Sequence, residues 1–151
     1  MASRASRVAF SRLRGERVEL AGEIVLVNDC YNANPVSMTA ALDNLAQVEA
    51  SGRRLAVLGG MHELGPLTDD YHRDAGAHAR SLGIGPIVGV GELARAYAPD
   101  EWAPDASEAV EIVERLLEPA DAILVKGSRA VGLEVLTDEL RARMPAVGAE
   151  D

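Results

Sequence analysis

The chain has 151 residues, of which 48% are hydrophobic and only 3% are aromatic. This length suits one ordinary domain whose core is built from aliphatic side chains. The formal net charge of −9 argues against nucleic acid or an anionic membrane as the main partner. A single cysteine excludes an intramolecular disulfide and favours a reducing, cytoplasmic setting. No apolar stretch approaches the roughly 18 residues of a membrane span, so we expect no membrane insertion.

Strands alternate with helices along most of the chain. Residues 1–6 are predicted to be a linker, 7–144 one domain and 145–151 a flexible tail. After a small β element at 8–10 and 17–20, the pattern predicts strands at 24–28, 55–58, 87–90 and 122–125, and helices at about 36–50, 68–83, 92–97, 105–117 and 131–143. This alternation is typical of an α/β fold with a doubly wound, mostly parallel sheet and helices on both faces.

The first seventeen residues are rich in arginine, whereas most of the acidic residues lie in the second half of the chain. Such a basic arm is either an edge that faces a phosphate or a solvated face or linker. Its arginines are Arg4, Arg7, Arg12, Arg14 and Arg17.

A dense polar turn, Asp29-Cys30-Tyr31-Asn32-Ala33-Asn34-Pro35, follows the strand at 24–28. Pro35 suits the first position of a helix, with Asn34 as its N-cap. Helix entry needs one polar side chain, yet the turn carries a carboxylate, a phenol and two amides. Because open α/β sheets bind ligands at the carboxyl ends of their strands, we interpret this turn as part of a site. The alternative for Asp29 is an Asx-turn that only caps the loop.

The thiol of Cys30 is not expected to be a nucleophile. A reactive thiol needs a neighbouring base, and no histidine lies near Cys30 in the sequence. We interpret Cys30 as a small side chain at a strand end.

Lys126 is the only lysine of the chain, against fourteen arginines, and it ends the strand at 122–125 just before Gly127-Ser128-Arg129. Lysine supplies a compact point charge, whereas an arginine such as Arg129 can clamp a carboxylate with two parallel hydrogen bonds. The alternative for Lys126 is a solvated charge at a strand end.

Two other patterns suggest sites but have simpler explanations. The segment Gly89-Val90-Gly91-Glu92-Leu93-Ala94 fits a dinucleotide fingerprint, yet it follows the third core strand rather than the first, which favours a tight strand-to-helix turn. The histidines His62, His72 and His78 lack partners at metal-ligand spacing, so we expect exposed or loop histidines and no metal site.

Three segments in order, 27–38, 55–65 and 124–129, resemble the signatures of the C-terminal domain of the Mur ligases, and similarity runs from about Arg12 to about Leu140. These enzymes use ATP to drive the formation of amide bonds during peptidoglycan synthesis. The string Tyr31-Asn32-Ala33-Asn34-Pro35 resembles the residues found at this place in the branch of the family that adds D-alanyl-D-alanine to UDP-N-acetylmuramoyl-tripeptide.

The resemblance implies roles for particular residues but no catalytic residue and no metal ligand on this chain. Asp29 is expected at the ATP ribose and Arg14 at the ATP phosphates after domain closure, although Arg12 and Arg17 are alternatives to Arg14. The full expected sets are Asp29, Arg14, Asn32 and Lys126 for ATP, and Asn32, Tyr31, Ser128 and Arg129 for the peptide substrates.

One motif departs from the family. Where relatives usually have Gly-Asp-Met-Leu-Glu-Leu-Gly, this chain has Gly59-Gly60-Met61-His62-Glu63-Leu64-Gly65. The missing carboxylate at Gly60 removes a ligand or a loop hydrogen bond.

The sequence contains no phosphate-binding G-x-x-x-x-G-K-[ST] motif. In this family that loop belongs to a central ATPase domain, and an N-terminal domain holds the UDP-linked substrate. We therefore expect ATP and Mg²⁺ to bind to a complete ligase. We expect neither to bind tightly to this chain alone, which should be inactive.

The alternative functions are a stand-alone nucleotide-binding module that uses the Gly89 turn, or the C-terminal domain of another Mur or folylpolyglutamate-synthetase-like ligase. We also expect that replacing Asp29 or Lys126 leaves the stability of the domain almost unchanged, because each residue lies at the end of a strand.

Overall fold

The computed structural model describes residues 15–146 of the chain. Its strands are β1 (Glu16–Leu20), β2 (Ile24–Asp29), β3 (Arg54–Gly59), β4 (Ile87–Val90), β5 (Glu101–Ala103) and β6 (Ala122–Lys126). Its α-helices are α1 (Pro35–Gln47), α2 (Thr68–Ser81), α3 (Ala106–Leu116) and α4 (Glu134–Arg143). The strand expected at 8–10, the linker, the end of the tail and Arg14 lie outside the described residues.

The six strands form one sheet in the order β1-β2-β6-β3-β4-β5. Strand β1 runs antiparallel to β2, and the other neighbouring pairs are parallel. In this register Lys126 lies opposite Asp29 on one side and opposite Leu58 on the other. The predicted doubly wound, mostly parallel sheet is confirmed.

Each face of the sheet carries its own hydrophobic core. Leu55 and Val57 of β3 pack on the face that α3 and α4 cover. Ala56 and Leu58 point the other way, into the core with α1 and α2. Because side chains alternate along a strand, a strand buried on both faces is an unbroken apolar run. No helix within the described part of the chain is long and apolar enough to cross a membrane.

Three details differ from the predictions. The edge strand β5 was missed, because three residues are too few to show a period. Residues 93–97 form a 3-10 helix, which packs against α2. The helix predicted over 68–83 ends two residues earlier, at Ser81, and the hydroxyl of its first residue, Thr68, donates to the Gly65 carbonyl.

Asp121 closes the opposite, amino-terminal edge of the sheet. Its carboxylate accepts from the Arg53 backbone N–H at 2.8 Å, from the Arg53 guanidinium at 2.8 Å and from the Glu118 N–H at 2.9 Å. Burial alone would raise the pKa of Asp121, but the hydrogen bonds from Arg53 and Glu118 outweigh it and hold the pKa below its ordinary value.

We predict that Asp121→Asn lowers the free energy of unfolding by about 1–3 kcal/mol at neutral pH, because the amide leaves buried donors unpaired. A carboxylate with a lowered pKa in the folded state stabilises the protein above its unfolded pKa and loses that effect as the pH falls. The difference between wild type and variant in urea unfolding should therefore shrink below about pH 4. A difference that stays constant down to the acid transition would contradict this role.

Candidate functional site

Strand β6 lies between β2 and β3, and the chain leaves these strands in different directions. After β2 and β3 it continues to α1 and α2 on one face, whereas after β6 it continues to α4 on the other. Such a divergence opens a crevice at the carboxyl edge, where α/β proteins bind ligands. Asp29, Gly60 and Lys126 lie together at this edge.

Asp29 and Lys126 form a buried ion pair. The Lys126 Nζ donates to Asp29 Oδ2 at 3.0 Å and to the Asn32 carbonyl at 2.9 Å. The Lys126 side chain is 2% exposed and that of Asp29 12%. Lys126 is therefore not a solvated charge at a strand end. Through the Asn32 carbonyl it also ties the polar turn to β6.

The polar turn is fixed by its own side chains. Asn34 and Ser37 form the reciprocal capping box of α1: the Ser37 N–H donates to Asn34 Oδ1 at 2.9 Å, and the Asn34 N–H donates to Ser37 Oγ at 3.0 Å. The predicted N-cap is confirmed. Asn32 is exposed, and its Oδ1 accepts from the Ala33 N–H at 2.9 Å.

Tyr31 and Arg129 lie side by side at the surface of this edge. Tyr31 is an exposed side chain rather than one packed beneath the loop. The Arg129 guanidinium carbon lies 5.4 Å from the centre of its ring, within the range of a cation–π contact. The pair places an aromatic face and a guanidinium side by side at the surface.

Ser128 joins the β6 end to the loop after β3. Its Oγ accepts from the His62 N–H at 3.0 Å, and its own N–H donates to the Gly60 carbonyl at 3.0 Å. The side chain is buried.

The same loop is also held from behind, by two residues that the sequence reasoning left without a role. The Tyr97 hydroxyl donates to the Gly59 carbonyl at 2.8 Å, and burial raises the pKa of Tyr97, so the phenol keeps its proton. The Met61 N–H donates to His72 Nε2 at 2.9 Å.

The expectation that the histidines are exposed or in loops is wrong for His72, which is fully buried in α2. The spacing of His72 with Ala75, Gly76 and Ala79 follows one face of a helix, a pattern that could have indicated burial. His62 is exposed, and His78 pairs with Asp43 at 2.8 Å. Within residues 15–146 no group of three potential metal ligands comes together.

The glycine at position 60 has a packing reason. A Cβ on Gly60 would lie 2.7 Å from Leu93 Cβ, a distance that real side chains do not adopt. Leu93 therefore fills the space that a side chain at position 60 would need.

The segment Gly89–Ala94 is a tight turn, as interpreted. It leads into a 3-10 helix rather than an α-helix, and the Trp102 indole N–H donates to the Gly91 carbonyl at 2.7 Å. A Cβ on Gly89 would lie 2.9 Å from Pro99, so this glycine is needed for packing.

Large exposed apolar side chains gather at the carboxyl edge of the sheet. Each one in residues 15–146 belongs to a loop or first helical turn that follows β2, β3 or β6. Apolar side chains grouped around a polar site are typical of a surface that meets another protein surface. They are Tyr31, Val36, Leu67, Tyr71 and Val135.

Comparisons with known proteins agree with the fold. Residues 13–129 match the family model described as "Mur ligase, glutamate ligase domain". The chain therefore belongs to the Mur ligase family and carries its C-terminal domain.

Individual relatives point to one branch of the family. The UDP-N-acetylmuramoyl-tripeptide--D-alanyl-D-alanine ligase of Synechocystis is 34% identical over 147 residues, covering 91% of this chain and 32% of that protein. A crystal structure of MurF from Acinetobacter baumannii is 30% identical with a TM-score of 0.74, covering 87% of this chain and 30% of that one. MurF ligase from Thermotoga maritima, solved in complex with ADP, shares the fold at 24% identity, with a TM-score of 0.73 over 88% of this chain and 32% of that one. The chain spans about a third of the length of the curated relatives it matches.

The buried ion pair overturns the expectation that Asp29 can be replaced without a change in stability. We predict that Asp29→Ala lowers the free energy of unfolding by about 3–5 kcal/mol, because it leaves the Lys126 charge buried without a partner. The double variant Asp29→Leu with Lys126→Met should recover most of this loss, since it removes both charges together. Urea unfolding of the three proteins measures both effects, and a fully stable Asp29→Ala protein would contradict the ion pair.

We predict a slowly reacting Cys30. Burial, reinforced by the nearby charge of Glu134, raises the pKa of the thiol to about 11, and its Sγ donates to Asn28 Oδ1 at 3.1 Å. At neutral pH the folded chain should react with iodoacetamide at least about 100-fold more slowly than the chain in denaturant, because less thiolate is present. The rate should rise with pH towards that pKa, and equal rates for folded and unfolded chain would contradict the prediction.

Proposed function

We propose that this domain is the third domain of a ligase that adds D-alanyl-D-alanine to UDP-N-acetylmuramoyl-tripeptide, and that it completes the ATP and dipeptide sites when the domains close. The observation that carries the proposal is the Asp29–Lys126 pair at the switch point of the sheet, in a chain of the Mur ligase family.

The nucleotide side of the site is built around Asp29. Lys126 engages Oδ2, and no other described residue bonds to Oδ1, which is left to accept from ribose hydroxyls. Fixing the carboxylate before the nucleotide arrives reduces the reorganisation needed on binding. Asn32 lies beside it in the exposed turn, and Arg14 is assigned to the ATP phosphates on the family resemblance.

The acceptor side of the site is formed by Ser128, Arg129 and Tyr31. The Arg129 guanidinium, over the Tyr31 ring, can bind the carboxylate of D-alanyl-D-alanine through two parallel hydrogen bonds. The Ser128 hydroxyl, held by the His62 N–H, supplies a neighbouring polar group.

The remaining parts come from the rest of the ligase. A central ATPase domain would hold the phosphates and Mg²⁺, and the tripeptide carboxylate would react there as an acyl phosphate that the dipeptide amine attacks. The exposed apolar side chains at the carboxyl edge suit the closing contact with that domain. The chain alone is therefore expected to bind nucleotide weakly and to hydrolyse none.

We predict that ADP added to the isotope-labelled chain perturbs the amide resonances of residues 29–34 and 126–129 most strongly. The affinity should be weak, because the chain has no phosphate-binding loop. The control variant Asp43→Asn, whose carboxylate lies away from this edge on α1, should behave as wild type, whereas Asp29→Asn should abolish the perturbation. Perturbations centred on residues 89–94 would instead support a nucleotide module that uses the Gly89 turn.

Ligation itself can be tested in a chimera in which this chain replaces the matching domain of Acinetobacter baumannii MurF. ADP release should require both UDP-N-acetylmuramoyl-tripeptide and D-alanyl-D-alanine. Asp29→Asn should raise the KM for ATP, Arg129→Ala should raise the KM for the dipeptide, and Asp43→Asn should change neither. A folded chimera that accepts a different amino acid in place of the dipeptide would overturn the assignment to this branch.

A further inference from the structure

The loop after β3 is fixed residue by residue. Four consecutive residues, 59 at the end of β3 and 60 to 62 in the loop, each have a backbone group bonded to a residue outside this segment. The Gly59 carbonyl accepts from the Tyr97 hydroxyl, and the Gly60 carbonyl from the Ser128 N–H. The Met61 N–H donates to His72, and the His62 N–H donates to Ser128 Oγ.

The two hydrogen bonds of the His72 ring define a single tautomer. The Met61 N–H can only donate, so Nε2 must carry a lone pair. The Thr68 carbonyl, 2.7 Å from Nδ1, can only accept, so Nδ1 must carry the hydrogen. A neutral imidazole with hydrogen on Nδ1 is the form that makes both bonds, and the ring is fully buried.

The packing of α2 keeps this ring in place. The Tyr97 ring lies 4.9 Å from the His72 ring, centre to centre, and is tilted by 58°. One turn further along α2, a Cβ on Gly76 would lie 2.3 Å from the Tyr97 carbonyl oxygen. The absence of a side chain at Gly76 therefore allows the 3-10 helix at 93–97, the Tyr97 segment, to approach α2 and to reach the same loop.

The hydrogen bond from His62 determines how the Ser128 hydroxyl can bond to a ligand. Ser128 Oγ accepts from the His62 N–H, so the hydroxyl keeps its own hydrogen to donate. The His62 N–H belongs to the peptide group that joins Met61 to His62. His72 binds the N–H of Met61, at the other end of the same residue.

We propose that His72 is a positioning residue for Ser128. By holding the Met61 N–H it orients the His62 N–H, which presents the Ser128 hydroxyl as a hydrogen-bond donor to a carboxylate or carbonyl of the acceptor peptide. This inference rests on the proposed function, because that function places Ser128 on the acceptor side of the site.

The hydrogen bond is tested first in the chain itself, without any substrate. Nitrogen-15 spectra of the His72 ring should show hydrogen on Nδ1 and none on Nε2. In His72→Leu, the amides of Met61 and His62 should exchange with solvent at least about 10-fold faster than in wild type, after correction for global stability with the Val57 amide. His72→Gln, which keeps an acceptor, should restore part of the protection. His78→Leu, on the same helix but paired with Asp43, should change neither amide.

The consequence for the substrate is tested in the chimera with Acinetobacter baumannii MurF. His72→Leu should raise the KM for D-alanyl-D-alanine at least about 10-fold and leave the KM for ATP unchanged, because Asp29 lies on a different strand, and His72→Gln should recover part of the affinity. An Nε2–H ring in wild type, or unchanged exchange at Met61 and His62, would overturn the positioning role whatever the enzyme does. Faster exchange with an unchanged KM for the dipeptide would overturn the proposed action on substrate and, with it, the place of Ser128 in the proposed function.

Discussion

The position of β6 between β2 and β3 is the constraint on which the rest of this domain depends. Two parallel ladders hold that strand, one on each side, and they place Lys126 beside Asp29 and level with Leu58 at the end of β3. The chain leaves β6 on the opposite face from its two neighbours, so the loops separate and the carboxyl edge opens. Without this insertion Asp29 and Lys126 would lie at the ends of strands that do not pair.

The ion pair at that edge bears on the stability of the domain and on the proposed function. Burying two charges costs free energy, and the attraction between them offsets this only when the geometry is good. Here the Lys126 ammonium has two acceptors, the Asp29 carboxylate and the Asn32 carbonyl. A site that is charged and fixed before a ligand arrives needs little rearrangement, which suits a surface that acts when another domain closes on it.

The edge is supported on one side and open on the other. From within the domain, α2 and the Tyr97 segment hold the loop after β3 through His72 and the Tyr97 hydroxyl. Towards solvent, the polar groups are surrounded by exposed apolar side chains. This asymmetry, with hydrogen-bonded support behind the loop and exposed side chains in front, supports the proposal that the front contacts other domains of a ligase.

Local patterns in the sequence determined five of the six described strands, most of the helices, the cap at Asn34 and the order of the three motifs, because each of these signals is carried by residues within a few positions of one another. The tertiary structure decided which residues meet. Asp29 and Lys126 are 97 residues apart, and their pairing depends on the strand order, which no local period encodes. The burial of His72, the edge strand β5 and the packing of Leu93 against Gly60 were decided in the same way, by surfaces that come into contact only when distant parts of the chain pack together.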